Sequence, residues 1–160
     1  MNKQEIYNYL TEKGIWHHIV EHEAVYNMSE ASGIENPYPG YDAKNLFIRD
    51  DKKQHYYLIT VRGDQRVDLK AFRQQHQTRP LCFASAEDLM SIMSLIPGAV
   101  TPFGLLNDEQ RRVSLFLDQH FLQDEALIGV HPNDNTATVW LHTKDLIELI
   151  TQHGNPVHVL

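Results

Sequence analysis

Two alternating runs, AKNLFIRD (43–50) and HYYLITVRG (55–63), flank the polar tetrapeptide DKKQ. A period of two on both sides of a short polar turn predicts an antiparallel hairpin. An isolated hairpin is at best marginally stable in water, so further strands and an apolar cover must follow. The chain supplies both. IWHHIVEH, LCFA and RRVSLFLDQHF read as strands, and ALIGVHPNDNTATVWLH reads as a second hairpin around Pro132–Asn135. NKQEIYNYLTEKG, VDLKAFRQQH, SAEDLMSIMSLI and TKDLIELITQHG carry helical spacing. Ser85 and Thr143 are the expected N-caps of the last two helices, and Gly154 is the expected stop. A further short helix is expected to open at Ser29. Helices and strands mix without regular βαβ alternation. The expected fold is therefore α+β, a single domain over 1–160 with a mainly antiparallel, curved or barrel-like sheet.

Composition narrows the function classes. Hydrophobic residues make up 42% and charged residues 22% of the 160 residues, as in an ordinary globular domain. No apolar run approaches the ~18 residues of a bilayer span, and no membrane partner is expected. The single cysteine, Cys82, excludes an internal disulfide and reads as a small buried hydrophobe; a cytoplasmic setting is expected. The net charge of −7 disfavours coating of nucleic acid. Yet residues 44–79 hold nine basic against four acidic side chains, a local balance of +5. Such a segment suits a small anionic ligand or one end of a nucleic acid, and equally the solvated faces of strands and a helix.

Three places could carry chemistry. PGAVTPFG (97–104) packs two prolines and two glycines into eight residues. Gly98 and Gly104 allow positive φ and close approach of a ligand, while Pro97 and Pro102 stiffen the frame. The N–H groups of Gly98 to Thr101, held in that frame, could stabilise a carbonyl oxygen or alkoxide; the plainer reading is a tight connection after a helix. Lys44 precedes the Leu46, Ile48 alternation and sits where a strand begins, so its ammonium could hold a phosphate or polarise a carbonyl. Asn45 beside it can donate and accept, or shape a turn. His131 enters a turn between Gly129 and Pro132, a position suited to acid–base or hydrogen-bonding work. His17, His18 and His22 cluster, but His17 opposes the other two on a strand. No HExxH or Cys/His pairing occurs, and no metal or cofactor is expected. No G-x-S-x-G elbow, Walker loop or G-x-G-x-x-G is present.

In order, DAKNLF, RVDLKAF, PGAVTPFGLL and GVHPNDNTATVWL resemble the aminoacyl-tRNA editing domains related to YbaK and to the insertion domain of bacterial prolyl-tRNA synthetase. Within that family the chain is most similar to the freestanding, ProX-like prolyl-tRNA editing subgroup. The resemblance spans essentially the whole chain. It implies a mixed α/β fold with a curved sheet, and hydrolysis of the ester between a wrong amino acid and proline tRNA. It implies alanine as the wrong residue, with cysteine removed by the YbaK-like subgroup. The family lysine falls on Lys44, the following asparagine on Asn45, the G-x-x-x-P loop on Gly98, Ala99, Val100, Thr101 and Pro102, and the family histidine on His131.

By that resemblance the loop amides bind the amino-acid carbonyl or its oxyanion, Lys44 fixes the terminal phosphate or carbonyl, and His131 orients the amino acid or ribose. The tRNA's own terminal ribose hydroxyl is implied to help activate water. Ile34, Leu46 and Phe103 are candidates for the substrate pocket. Arg62, Arg66, Lys70 and Arg73 of the basic segment are candidates for the acceptor end of the tRNA, and prolyl-tRNA synthetase is a second candidate partner. A pocket that admits alanine but not the proline ring would supply the discrimination a synthetic site lacks, since one methylene is worth only ~1–3 kcal/mol. The competing readings are a cysteinyl-tRNA deacylase, a non-catalytic tRNA- or synthetase-binding module of the same fold, and an unrelated metallohydrolase built on the histidines.

Overall fold

The computed structural model describes residues 1–24 and 36–160, and in these the alternating segments form two sheets. The elements in chain order are α1 (Lys3–Glu12), β1 (His17–Glu21), β2 (Ala43–Asp50), β3 (Tyr56–Arg62), α2 (Leu69–His76), β4 (Leu81–Phe83) and α3 (Ala86–Met93). A 3-10 helix, η1 (Pro102–Asn107), follows. Then come β5 (Val113–Leu117), a second 3-10 turn η2 (Gln119–Leu122), β6 (Leu127–Val130), β7 (Ala137–His142), α4 (Thr143–His153) and β8 (Val157–Val159). The helix expected at Ser29 lies outside the described residues, as does Ile34. No helix among the described residues is long and apolar enough to cross a membrane.

Both expected hairpins form. β2 pairs β3 with Lys44 opposite Val61 and Asn45 opposite Thr60, and β6 pairs β7 with Gly129 opposite Trp140. The larger sheet has the order β4-β2-β3-β5-β8 and the smaller β1-β7-β6. Neither closes into a barrel. The larger sheet is also less antiparallel than expected, because β3 pairs β5 and β5 pairs β8 in parallel. Each of these pairs is separated by a crossover that contains helices, and such a connection returns the chain in the same direction. The sheets meet at one isolated parallel bridge, Asp42 to Gly129, where the Gly129 N–H donates to the Tyr41 carbonyl at 2.9 Å.

Strand alternation sorts the side chains onto two faces. On the inner faces, Phe47, Leu58, Leu115 and Leu117 of the larger sheet meet Ile128, Val139 and Leu141 of the smaller one. Residues of α1, α3 and α4 complete this main core. The outer face of the larger sheet carries Ile48, Ile59, Val61 and Phe116, covered by Phe72 of α2.

Helix ends follow local chemistry. Asn2 opens α1 with a capping box, and Ser85 caps α3 by accepting from the Asp88 N–H. Thr143 does not cap α4. β7 runs directly into the helix, so its last residue His142 takes the cap position and Thr143 becomes the first helical residue. Cys82 is exposed instead of buried, because it lies on the three-residue edge strand β4.

Candidate active site

The proline- and glycine-rich segment is as stiff as its composition implies. Ile96 to Ala99 form a tight turn in which the Ala99 N–H donates to the Ile96 carbonyl at 3.1 Å and Gly98 takes φ +93°. Proline followed by a positive-φ glycine is the chemistry of a type II turn. Thr101, fully buried, then caps η1 and donates its hydroxyl to the His131 carbonyl at 2.6 Å. Pro102 occupies the first position of η1, where its missing N–H costs nothing.

Three expectations for this segment need correction. The Ala99 amide is already taken by the turn. Among the described residues the Gly98 and Val100 N–H groups have no partner and remain available to a ligand. Gly104 serves packing, not ligand approach: a Cβ there would lie 2.5 Å from Leu95 Cδ1. Phe103 is likewise fully buried in the main core, so its ring supports the loop from beneath and does not line an open surface.

His131 follows β6 directly. Its Nδ1–H donates to the Ala137 carbonyl at 2.8 Å across the turn, which leaves Nε2 as the acceptor of the neutral ring. Burial pushes the imidazole below its ordinary range and the nearby His22 adds to this, against the opposing hydrogen bond to Ala137 and the charge of Asp134. A neutral imidazole with an accepting Nε2 can receive a hydrogen bond from a hydroxyl or an ammonium without repelling the latter. His22, weighed in the sequence only as a metal candidate, stands 6.1 Å from His131 ring to ring, with its Nε2 bonded to Thr138 Oγ1 at 3.0 Å. Among the described residues no group of three His, Cys, Asp or Glu side chains is placed to hold a metal ion.

Lys44 is the second residue of β2, half-buried, and among the described residues it has no ion pair. The Asp42–Gly129 bridge is parallel, so two residues further along each strand Lys44 and His131 run in step on the same, outer face. Thr101 thus joins the 98–102 loop to His131, while the Asp42–Gly129 bridge sets the start of β2, which carries Lys44, beside β6, which leads into His131. β4 pairs β2 only at Ile48 to Asp50, so on that edge no described strand is laddered to the Ala43–Phe47 stretch beside the bridge.

The other candidates distribute differently. Asn45 points to the opposite face, where its Oδ1 accepts from the buried Thr60 hydroxyl at 2.6 Å. Leu46 shares the face of Lys44 and packs at the border of the outer cluster. Arg66, Lys70 and Arg73 are exposed on and before α2, on the side that covers this face. Arg62 alternates away from Lys44 and pairs with Asp64 at 3.1 Å. The hydroxyl link from Thr101 to His131 and the approach of His22 joined no sequence pattern. The one available hint is that His18 and His22 share a strand face.

Comparison with known proteins supplies an independent line. The family model described as aminoacyl-tRNA editing domain matches residues 22–149. The chain is 39% identical over 153 residues to the prolyl-tRNA editing protein ProX of Acetoanaerobium sticklandii, a match covering 96% of this chain and 93% of that protein. It is 29% identical over 145 residues to prolyl-tRNA synthetase associated domain-containing protein 1 of Bos taurus, covering 89% and 84% of the two chains. A crystal structure described as a "putative trans-editing enzyme for prolyl tRNA synthetase" superposes with a TM-score of 0.69 at 23% identity, covering 99% of this chain and 95% of that one. That last likeness is one of fold.

Proposed function

The chain belongs to the aminoacyl-tRNA editing domain family, and on that premise we propose that it is a trans-acting hydrolase that removes alanine from mischarged proline tRNA. The observation that supports the reading is the Thr101 hydroxyl bond that holds the 98–102 loop against His131, next to the Asp42–Gly129 bridge at the start of the strand that carries Lys44.

In the proposed reaction a water oxygen attacks the acyl carbon of the alanyl ester. The carbonyl oxygen becomes an oxyanion and is received by the Gly98 and Val100 N–H groups, fixed in advance by the turn and by η1. The bond from the acyl carbon to the ribose oxygen then breaks, and that oxygen takes a proton, giving free alanine and uncharged tRNA. Lys44 holds the terminal phosphate or the carbonyl by charge. His131, neutral and accepting at Nε2, receives a hydrogen bond from the substrate's amino group or ribose hydroxyl. An activated ester needs positioning and charge stabilisation more than a strong protein nucleophile. The neighbouring ribose hydroxyl supplies help in activating water. The exposed Arg66, Lys70 and Arg73 on the α2 side suit the phosphates of the acceptor end, in a chain whose overall charge is −7.

The test is a time course of alanyl-, cysteinyl- and prolyl-tRNA(Pro) hydrolysis by the purified protein. Alanyl-tRNA is expected to be cleared fastest and prolyl-tRNA to be spared. Faster clearance of cysteinyl-tRNA would move the assignment to cysteine, and equal cleavage of prolyl-tRNA would refute the size-selective site.

A further inference from the structure

A second imidazole stands beside His131, and its ring is held at both nitrogens. β1 and β7 pair from His17 to Glu21, and the ladder runs one residue further, where the His22 N–H donates to the Thr136 carbonyl at 2.9 Å. Strand alternation places His22 and Thr138 on one face. There His22 Nδ1 lies 2.8 Å from the Glu23 carbonyl and Nε2 lies 3.0 Å from the Thr138 hydroxyl. A carbonyl only accepts, so Nδ1 carries the hydrogen, and Nε2 of the neutral ring receives the hydroxyl. A hydroxyl can also accept, so the same bond survives, reversed, when Nε2 takes a proton. The ring therefore keeps its place in both forms, and only its charge changes.

The ring so fixed meets His131. The centroids are 6.1 Å apart and the planes are inclined at 63°, an edge-to-face arrangement. Among the described residues the His131 ring has one hydrogen bond of its own, from Nδ1–H to the Ala137 carbonyl at 2.8 Å. One bond selects the tautomer but leaves the ring free to rock about it. A neighbour that cannot itself turn limits that rocking.

The charged groups around the pair are committed elsewhere. Glu21 of β1 accepts from Lys3 of α1 at 2.7 Å and from the Tyr7 hydroxyl of α1 at 2.9 Å. Lys3 also donates to the Thr136 hydroxyl at 2.9 Å. Asp134, in the turn after His131, accepts from the Thr136 N–H at 2.9 Å and from its hydroxyl. The Glu23 side chain is exposed, and Thr138 of β7 and Thr101 of the loop carry no charge.

We propose that His22 is a positioning residue of the site, acting through His131: its doubly bonded ring fixes the direction in which the His131 Nε2 lone pair is presented to the substrate. The proposal rests on the deacylase reading, in which that lone pair receives the substrate's amino group or ribose hydroxyl. A second effect is electrostatic. Burial holds the His131 imidazole below its ordinary range, and the charge of a protonated His22 acts in the same direction. A unit charge 6.1 Å away moves a titration midpoint by roughly half a pH unit even at the dielectric constant of water. His22 thereby helps His131 to stay neutral, and so able to accept, as the pH falls.

The experiment measures kcat and KM on alanyl-tRNA(Pro) from pH 5 to 8 for wild type, His22→Ala and His22→Gln. Loss of the ring is expected to lower kcat roughly tenfold in His22→Ala, with KM within about twofold of wild type. His22→Gln keeps an acceptor for the Thr138 hydroxyl but never carries a charge. It should recover most of kcat at pH 8, while its acid limb begins at higher pH than that of wild type. An unchanged kcat in His22→Ala, a rise in KM alone, or identical acid limbs in His22→Gln and wild type overturns the role.

A readout without activity is the proton titration of the His131 Cε1–H by NMR, assigned by its absence in His131→Gln. Its midpoint should lie higher in His22→Gln than in wild type by roughly half a pH unit. Equal midpoints refute the coupling of the two rings. A wild-type protein that deacylates nothing but shows the displaced midpoint would sink the catalytic reading and keep the coupling.

Discussion

Replacing Thr101 by valine removes one hydroxyl from a fully buried side chain and keeps its shape. The lost bond is the 2.6 Å contact with the His131 carbonyl, and with it goes the longer cap to the Phe103 N–H at 3.4 Å. A main-chain oxygen left without its partner costs about 1–3 kcal/mol. Unfolding entropy near the midpoint is about 2.1 cal/mol/K per residue, or about 0.34 kcal/mol/K for a chain of 160 residues. The melting temperature should therefore fall by about 3–9 °C. Activity should fall further than stability, because the same hydroxyl sets the spacing between the loop amides and His131. A misplacement of ~1 Å between reacting groups can cost ~10²-fold. Thr101→Ser keeps the donor and should recover most of both losses. Thermal melts by circular dichroism and initial rates on alanyl-tRNA(Pro) measure the two effects. A valine variant with wild-type rate would refute the claim that this bond aligns the site, whatever its melting temperature.

Lys44→Ala should keep the fold and lower deacylation of alanyl-tRNA by ~10² or more, as removal of a transition-state charge partner does; survival of the rate within about threefold removes the lysine from the mechanism. Gly129→Ala puts a methyl group within 2.8 Å of the Trp140 ring and should cost about 1–3 kcal/mol by overpacking, read as a lower denaturation midpoint with an altered near-UV indole signal. His76 lies between Phe72 at 4.5 Å and Phe116 at 4.7 Å, and burial lowers its pKa, with His158 adding to the effect. The unfolded chain then binds more protons than the folded one once pH drops toward the ordinary value of 6.5, so stability is full above that value and declines as pH falls through it. His131 shifts in the same direction. Urea denaturation of His76→Phe should show a shallower acid decline than wild type, and an identical slope would exclude His76 as a contributor.

Local elements were legible because their signals are local. The β2–β3 alternation, the Ser85 cap and the glycine stop of α4 each depend on residues within a few positions of one another. The misses share the opposite property. β8 is a three-residue strand whose partner β5 lies some forty residues earlier, and nothing in VHV announces a parallel neighbour. The mainly antiparallel pairing holds, with four of the six described strand pairs antiparallel, but the open sheet edges and the two parallel pairs are decided by crossovers and not by strand pattern. The exposure of Cys82 is likewise a fact of sheet order, because its three-residue strand sits at an edge. In the site, residue types were readable from the motifs, whereas the Ala99 turn bond, the Thr101–His131 link and the orientation of the His131 ring are tertiary.

Lys44 and His131 belong to different sheets, and among the described residues those sheets share a single bridge at Asp42 and Gly129. The same sheets also meet face to face in the main core, so relative movement at this bridge is confined to small rotations that the shared packing tolerates. Such rotations would alter the separation of ammonium and imidazole while each ladder stays whole, and the loop would travel with the histidine through its threonine tether. The width offered to an acyl group is then a mechanical property of how two rigid plates are joined, and not of pocket side chains alone.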